Sequence, residues 1–179
     1  MLGITILVLA IILLAFIVKV LNKINTYKVK IDEAYSSIEI YLAKRYDVLK
    51  QSYECVKGYT KHESEVLTKL VEIRQNMPIS QLQEAANSQE AFMNHLKVAV
   101  ENYPNLKADT VFCNLQNQLV TENEHLSAAK RVYNSNVSIY NQYVVTIPVC
   151  FIAPLVGGFK KEFFKEEGLE EKKNISFTF

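Results

Sequence analysis

The chain has 179 residues, 20 Lys and Arg against 19 Asp and Glu, and a formal net charge of +1. That balance excludes the concentrated basic face that phosphate backbones require, so no nucleic acid is expected as a partner. Five glycines, four prolines and no tryptophan leave little turn punctuation, which points to a few long elements.

Met1 to Val18 contains no charged side chain, and Lys19, Lys23, Lys28 and Lys30 follow before the first acidic residue, Asp32. A helix rises about 1.5 Å per residue, and a bilayer's hydrocarbon core is about 30 Å thick. With Lys19 snorkelling to the headgroups, residues 1–21 are long enough to be a single-pass anchor in the plasma (inner) membrane. The lysine excess just after the span predicts the N-terminus outside and the body in the cytoplasm. A cleaved signal would need a basic start, a shorter apolar run and a small-x-small site, and the exit VLNKIN has no such site. Cys55, Cys113 and Cys150, odd in number and far apart, suit a reducing compartment. In that compartment the sequons at Asn136-Val137-Ser138 and Asn174-Ile175-Ser176 have no role.

From Ile24 onward apolar residues recur at sevens. One column runs Ile24, Ile31, Ile38, Arg45, Ser52, Tyr59, Val66 and Ile73; its companion runs Lys28, Tyr35, Leu42, Leu49, Val56, Glu63 and Leu70. Such a stripe belongs to a long amphipathic helix. Its polar members at Arg45, Ser52 and Glu63 argue for a bundle seam with changes of partner rather than a uniform coiled coil. Gly58 is a candidate kink, and Pro78 should stop the helix. Ser80-Gln81-Leu82-Gln83 has the form of a capping box. A shorter helix should follow, with Leu82, Ala85, Ala86, Phe92, Met93, Leu96, Ala99 and Val100 on one face, ending at Asn102-Tyr103-Pro104-Asn105. The third helix should run from about Leu106 to Val145, carrying Phe112, Leu119, Leu126, Tyr133 and Tyr140 at sevens. The fold class is therefore all-α: an N-terminal transmembrane helix, then an up-and-down bundle of three to four long helices over 22–158. Pro148, Pro154 and Gly157-Gly158 forbid one continuous helix through the apolar stretch that follows. Residues 159–179 should comprise a short amphipathic segment near Phe159–Lys165 and a disordered tail; the segment is expected to cap the bundle end, the other reading being a short helix on the bundle or the bilayer surface.

Catalytic signatures occur only in fragments. His62-Glu63 begins like H-E-x-x-H, but Val66 stands where the second histidine belongs. Glu122-Asn123-Glu124-His125 contains Glu-x-x-His without a second copy on another helix. Gly157-Gly158 is followed by no G-K-[ST]. No catalytic residue, cofactor or metal is expected, and the chain is predicted not to be an enzyme. The unusual internal feature is polar. Tyr133-Asn134 and Tyr140-Asn141 repeat one heptad apart, downstream of Glu122 and Asn123. These six residues are predicted to form a structural polar network, in which asparagine supplies the partner that a buried tyrosine hydroxyl needs.

The same residues carry a resemblance. Ile31-Asp32-Glu33-Ala34-Tyr35, Arg45, Val56-Lys57-Gly58-Tyr59, His62-Glu63, Tyr103-Pro104 and Thr121-Glu122-Asn123 resemble the LemA family of membrane-anchored bacterial proteins. So do Ala129-Lys130, Tyr133-Asn134, Tyr140-Asn141, Pro148 and Gly158-Phe159. Tyr35 departs from it, since the family usually has tryptophan there. The resemblance implies a tethered helical bundle of uncharacterised molecular activity. It also implies an association with membrane zinc metalloproteases, and through it with envelope stress or membrane protein quality control. The expected function is a non-enzymatic, membrane-anchored scaffold or adaptor. Its expected partners are the lipid bilayer, through residues 1–21, and a second copy or a protein such as a membrane metalloprotease. The alternative is a ligand- or metal-binding regulator of a membrane protease, using His62, Glu63, Glu122, Asn123 and His125. That alternative requires these groups to converge from two helices.

Overall fold

The apolar start and the first seam belong to one unbroken element. In the computed structural model, α1 spans Leu2–Lys57 as a single helix of 56 residues. The structure describes residues 1–57, 74, 76–101, 103, 106 and 109–165. Helix α2 is Ile79–Glu101 and α3 is Thr110–Val145. A one-turn helix α4, Val149–Ile152, leads into a 3-10 turn at Ala153–Val156. No strand occurs among the described residues. The expected kink at Gly58, the seam residues Tyr59 to Ile73 and the tail beyond Lys165 lie outside them, as does the side chain of Ala99.

Three local expectations are corrected. Ser80 does not cap α2. The helix begins one residue earlier, and the Pro78 carbonyl accepts from the amides of Gln81 and Leu82 at 2.9 and 3.1 Å. Proline's fixed φ leads directly into a helix, which leaves Ser80 inside the first turn. The chain enters through Asn76, whose left-handed φ of 59° is well tolerated by asparagine. Its amide donates to Glu39 Oε1 at 2.7 Å. Helix α3 starts at Thr110 rather than Leu106, because Asp109 Oδ1 accepts from the amides of Val111 and Phe112 at 2.8 and 3.1 Å. A carboxylate there satisfies orphan donors and complements the helix dipole. Residues 159–165 are non-helical, which removes the helical reading of that segment. Asn141 holds both backbone groups of Lys161: its Oδ1 accepts from the Lys161 amide at 2.8 Å, and its Nδ2 donates to the carbonyl at 2.9 Å. A side chain pairing in this way replaces the helical ladder.

The chain forms two compact units, each built from separate stretches of sequence. The first comprises Met1–Tyr35 and Arg131–Phe163. Its buried face is Val20, Ile24, Ile31 and Ala34 of α1 with Tyr133, Val137, Tyr140 and Val144 of α3, joined by Val149 and Ala153. The two helix stretches run antiparallel, with Tyr35 facing Tyr133 and Tyr27 facing Tyr143 at centroid distances of 6.3 and 5.5 Å. The chain after Gly157 is the third layer, and Tyr133 Oη donates to the Glu162 carbonyl at 3.1 Å.

The second unit comprises Ser36–Lys130 and Phe164–Phe179, and α2 belongs wholly to it. Leu49, Tyr53 and Val56 of α1 pack with Phe92 and Leu96 of α2 and Phe112 and Leu119 of α3, with Leu106 inserted among them. Each fully buried Leu or Phe contributes about 1.5–3 kcal/mol relative to exposure. Phe164 is buried beneath Lys130, whose Nζ lies 5.0 Å from its ring centroid.

The glycine pair closes the turn after α4. Gly157 takes a left-handed φ of 66°, and the Gly158 amide donates to Ala153 O at 2.7 Å. A Cβ on Gly158 would lie 2.9 Å from that oxygen and 3.1 Å from the Ala153 Cβ. Gly158→Ala should therefore cost about 1–3 kcal/mol through displaced backbone. Gly3→Ala, with nothing within 4 Å of the new atom, should leave stability unchanged. Thermal unfolding of the full chain in detergent, followed by circular dichroism, compares the two.

Candidate functional site

The most polar place in either core is built by residues that stand in apolar columns. Arg45 follows Ile31 and Ile38 at sevens on α1; Gln89 lies midway between Leu82 and Leu96 on α2. Both are buried, Arg45 to 4% exposure and Gln89 to 0%. The guanidinium donates from Nε to Gln89 Oε1 at 2.6 Å, from Nη1 to Asn123 Oδ1 at 2.9 Å, and from Nη2 to the Ala86 carbonyl at 2.9 Å. Gln89 Nε2 donates onward to the Leu42 carbonyl at 3.0 Å, and Asn123 Nδ2 points to Met93 Sδ at 3.6 Å. One side chain thus ties α1, α2 and α3 together. Burial pushes the guanidinium down to about 10, partly offset by the charge of Glu90, so it remains a cation at neutral pH. Ser52, one heptad further on, is fully buried and donates to its own helix at Val48 O, 2.8 Å away.

The six residues predicted as a polar network fall in both units. Asn123 belongs to the Arg45 cluster. Glu122, in the column of Leu115 and Ala129, has an Oε2 that is buried with no hydrogen-bond partner among the described residues. Tyr133 and Asn141 face the segment 161–162 in the first unit. Asn134 lies beside them in sequence, half-buried. Tyr140 is fully buried, and its hydroxyl has no partner among the described residues. Arg45 and Gln89 were missed as site residues because a count of apolar residues treats a polar one in a column as a break. Their seven-residue spacing was the available signal.

No group of three His, Cys, Asp or Glu residues able to hold a metal occurs among the described residues, and His62 and Glu63 lie outside them. His125 is exposed and stacks on Tyr41 at 5.2 Å, with 17° between the rings. A cleft of about 410 Å³ lies between the end of α2 and the start of α3, against Val100, Phe112 and Cys113.

Compared with known proteins, the chain matches the model of the LemA family over residues 34–179. The chain belongs to the LemA family. No curated protein matches it. The match in this LemA chain begins at Ala34, so it takes in the whole Arg45 cluster and all of α3, while the apolar segment precedes it.

Two predictions follow from these polar groups. Gln89→Leu removes an acceptor from a buried cation and should destabilise the chain by about 2–5 kcal/mol. Arg45→Met combined with Gln89→Leu should recover much of that loss, and a double-mutant cycle by thermal unfolding reads the coupling. The tyrosines act at alkaline pH. Tyr133 is raised above its ordinary value by burial, then by Glu162 and Asp32; Tyr140 is raised by burial alone. Because the folded state favours the neutral phenol, this stabilisation is complete below the unfolded value of about 10 and is lost as pH rises through the folded one. Arg45 works in the opposite direction: above about 10 the folded chain releases its proton before the unfolded chain does, which adds stability. Tyr140→Phe should therefore lessen the alkaline loss. At neutral pH it should cost nothing, whereas Tyr133→Phe should cost about 1 kcal/mol for its hydrogen bond.

Proposed function

We propose that this LemA-family chain is a non-enzymatic scaffold or adaptor, tethered to the membrane by residues 1–21 with its body on the cytoplasmic side. The observation that carries this reading is the continuity of α1. Its first eighteen or so residues are apolar and almost wholly exposed, and burial begins at Val20 without a break in the helix. An apolar helix of this length standing free of its own domain suits lipid rather than water. The four lysines from Lys19 to Lys30 support the cytoplasmic orientation.

The scaffold role rests on how the polar side chains between chain segments are used. Arg45, Gln89, Asn123, Tyr133 and Asn141 all hold one segment of the chain to another. Exposed Val98, Val111 and Val120 in the second unit offer apolar ground for a second copy or a helical partner. A membrane metalloprotease is one partner consistent with a role in envelope quality control.

Topology and assembly can be tested on one preparation. Cys113 is exposed, so a membrane-impermeant maleimide should leave it unlabelled in intact cells and label it after permeabilisation. Detergent-extracted chain should scatter light as an oligomer or a complex. Labelling in intact cells would reverse the topology, and a strictly monomeric particle at micromolar concentration would remove the scaffold reading.

A further inference from the structure

The first unit ends in an apolar tip that its own core leaves uncovered. From Val132 to Phe159 the sequence has no charged residue. Helix α3 stops at Val145, and the path to α4 and the 3-10 turn bends by 88°. Within this tip Val149 and Ala153 turn inward, while Ile147, Phe151, Leu155 and Phe159 project at steps of four with exposures of 76%, 72%, 83% and 67%. Nothing in the packing of the unit requires large apolar side chains at these four positions.

Their place along α1 says what covers them. Tyr143 meets Tyr27 edge to face at 5.5 Å, and Lys23 Nζ lies 4.9 Å from the Tyr143 ring centroid. Because the helices are antiparallel, the Tyr27–Tyr143 and Tyr35–Tyr133 pairs put Val145 to Ile147 level with about Leu21 to Asn25, just past the end of the apolar run. Phe16 and Ile17 are already half-buried, whereas Leu13 and Leu14 are not. The chain then returns along α1 until Lys28 Nζ donates to the Gly157 carbonyl at 3.2 Å. The tip therefore sits at the exit of the anchor, ringed by Tyr27, Tyr143, Lys23, Lys28, Lys160 and Lys161. Tyrosine is enriched at headgroup depth, and lysines there attract anionic lipid. The eight residues of α4 and the 3-10 turn would span only about 12 Å as a helix, too short to cross the hydrocarbon core.

We infer that Ile147, Phe151, Leu155 and Phe159 form a second membrane contact, entering the headgroup–acyl boundary of the leaflet from which α1 emerges. The inference rests on residues 1–21 being a membrane anchor, as proposed above. With two points of attachment the first unit is held against the bilayer, and it cannot swivel freely about the anchor.

The chain contains no tryptophan, so a single introduced indole reports its own surroundings. Full-length Phe151→Trp, Leu155→Trp, Leu9→Trp and Val132→Trp are reconstituted separately into vesicles of phosphatidylcholine and phosphatidylglycerol, with and without bromine on the upper acyl chain. All four positions are exposed in the fold, so substitution should be tolerated. Val132 lies thirteen residues up α3 from Val145, about 20 Å along the helix. The expected result is blue-shifted emission that loses most of its intensity to bromine for Phe151→Trp, Leu155→Trp and Leu9→Trp, with Val132→Trp red-shifted and unquenched. Quenching of Leu9→Trp without Phe151→Trp and Leu155→Trp would overturn the tip contact and leave the anchor standing. Blue-shifted but unquenched emission at the tip would mean that protein covers it, and would equally overturn the contact. Equal quenching of Val132→Trp would show unspecific adsorption, also against it. An unquenched Leu9→Trp would fail the anchor itself.

Discussion

A buried guanidinium with no carboxylate hydrogen-bonded to it among the described residues must be held by oriented neutral acceptors, and that requirement organises the second unit. Arg45 can satisfy its donors only if α2 presents Gln89 and the Ala86 carbonyl while α3 presents Asn123 at the same level. Apolar columns alone permit sliding by a heptad, since leucine and phenylalanine at sevens fit many registers. A cation with several fixed acceptors permits one. The energetic cost of burying the charge is thus exchanged for register, a use of buried polar groups best known from helical seams.

The two units solve the same problem in different ways. Both have α1 and α3 side by side with one face of each apolar, and two helices leave a groove along their junction. In the second unit α2 fills it. In the first the groove is filled by non-helical chain after Gly157, fastened by Asn141 and Tyr133. Glycine at 157 and 158 allows that segment to reverse tightly enough against Ala153 to enter the groove.

Sequence periodicity captured the helices and nearly all of their buried faces. The seam from Ile24 to Val56 and the column from Phe112 to Tyr140 are inside. Periodicity was weakest where chemistry departs from apolarity. Arg45 and Ser52 stand as interruptions in their columns and Gln89 draws no notice at all, although all three hold core positions; a window that rewards hydrophobicity cannot see which hydrogen-bond partners satisfy a polar group. Helix starts failed for a local reason: Ser80 and Asp109 are both good caps by type, and only the backbone path through Pro78 decides between using a cap and passing it by. Residues 159–165 had helical composition, yet Asn141, far away in sequence, competes for their backbone. The apolar, span-length start of α1 was readable from composition alone, and the match to the LemA family begins only after it.

An unbroken α1 has a mechanical corollary. A helix of 56 residues is about 84 Å long, with no proline or glycine between Ile4 and Lys57 to act as a joint. Changes in bilayer thickness are accommodated by tilting a spanning helix, and a stiff rod passes that tilt to whatever is packed along it. If residues 1–21 span a bilayer as proposed, the lipid thickness around them becomes an input to the orientation of the first unit. Replacing two residues near Asn25 with glycines would disconnect the one from the other.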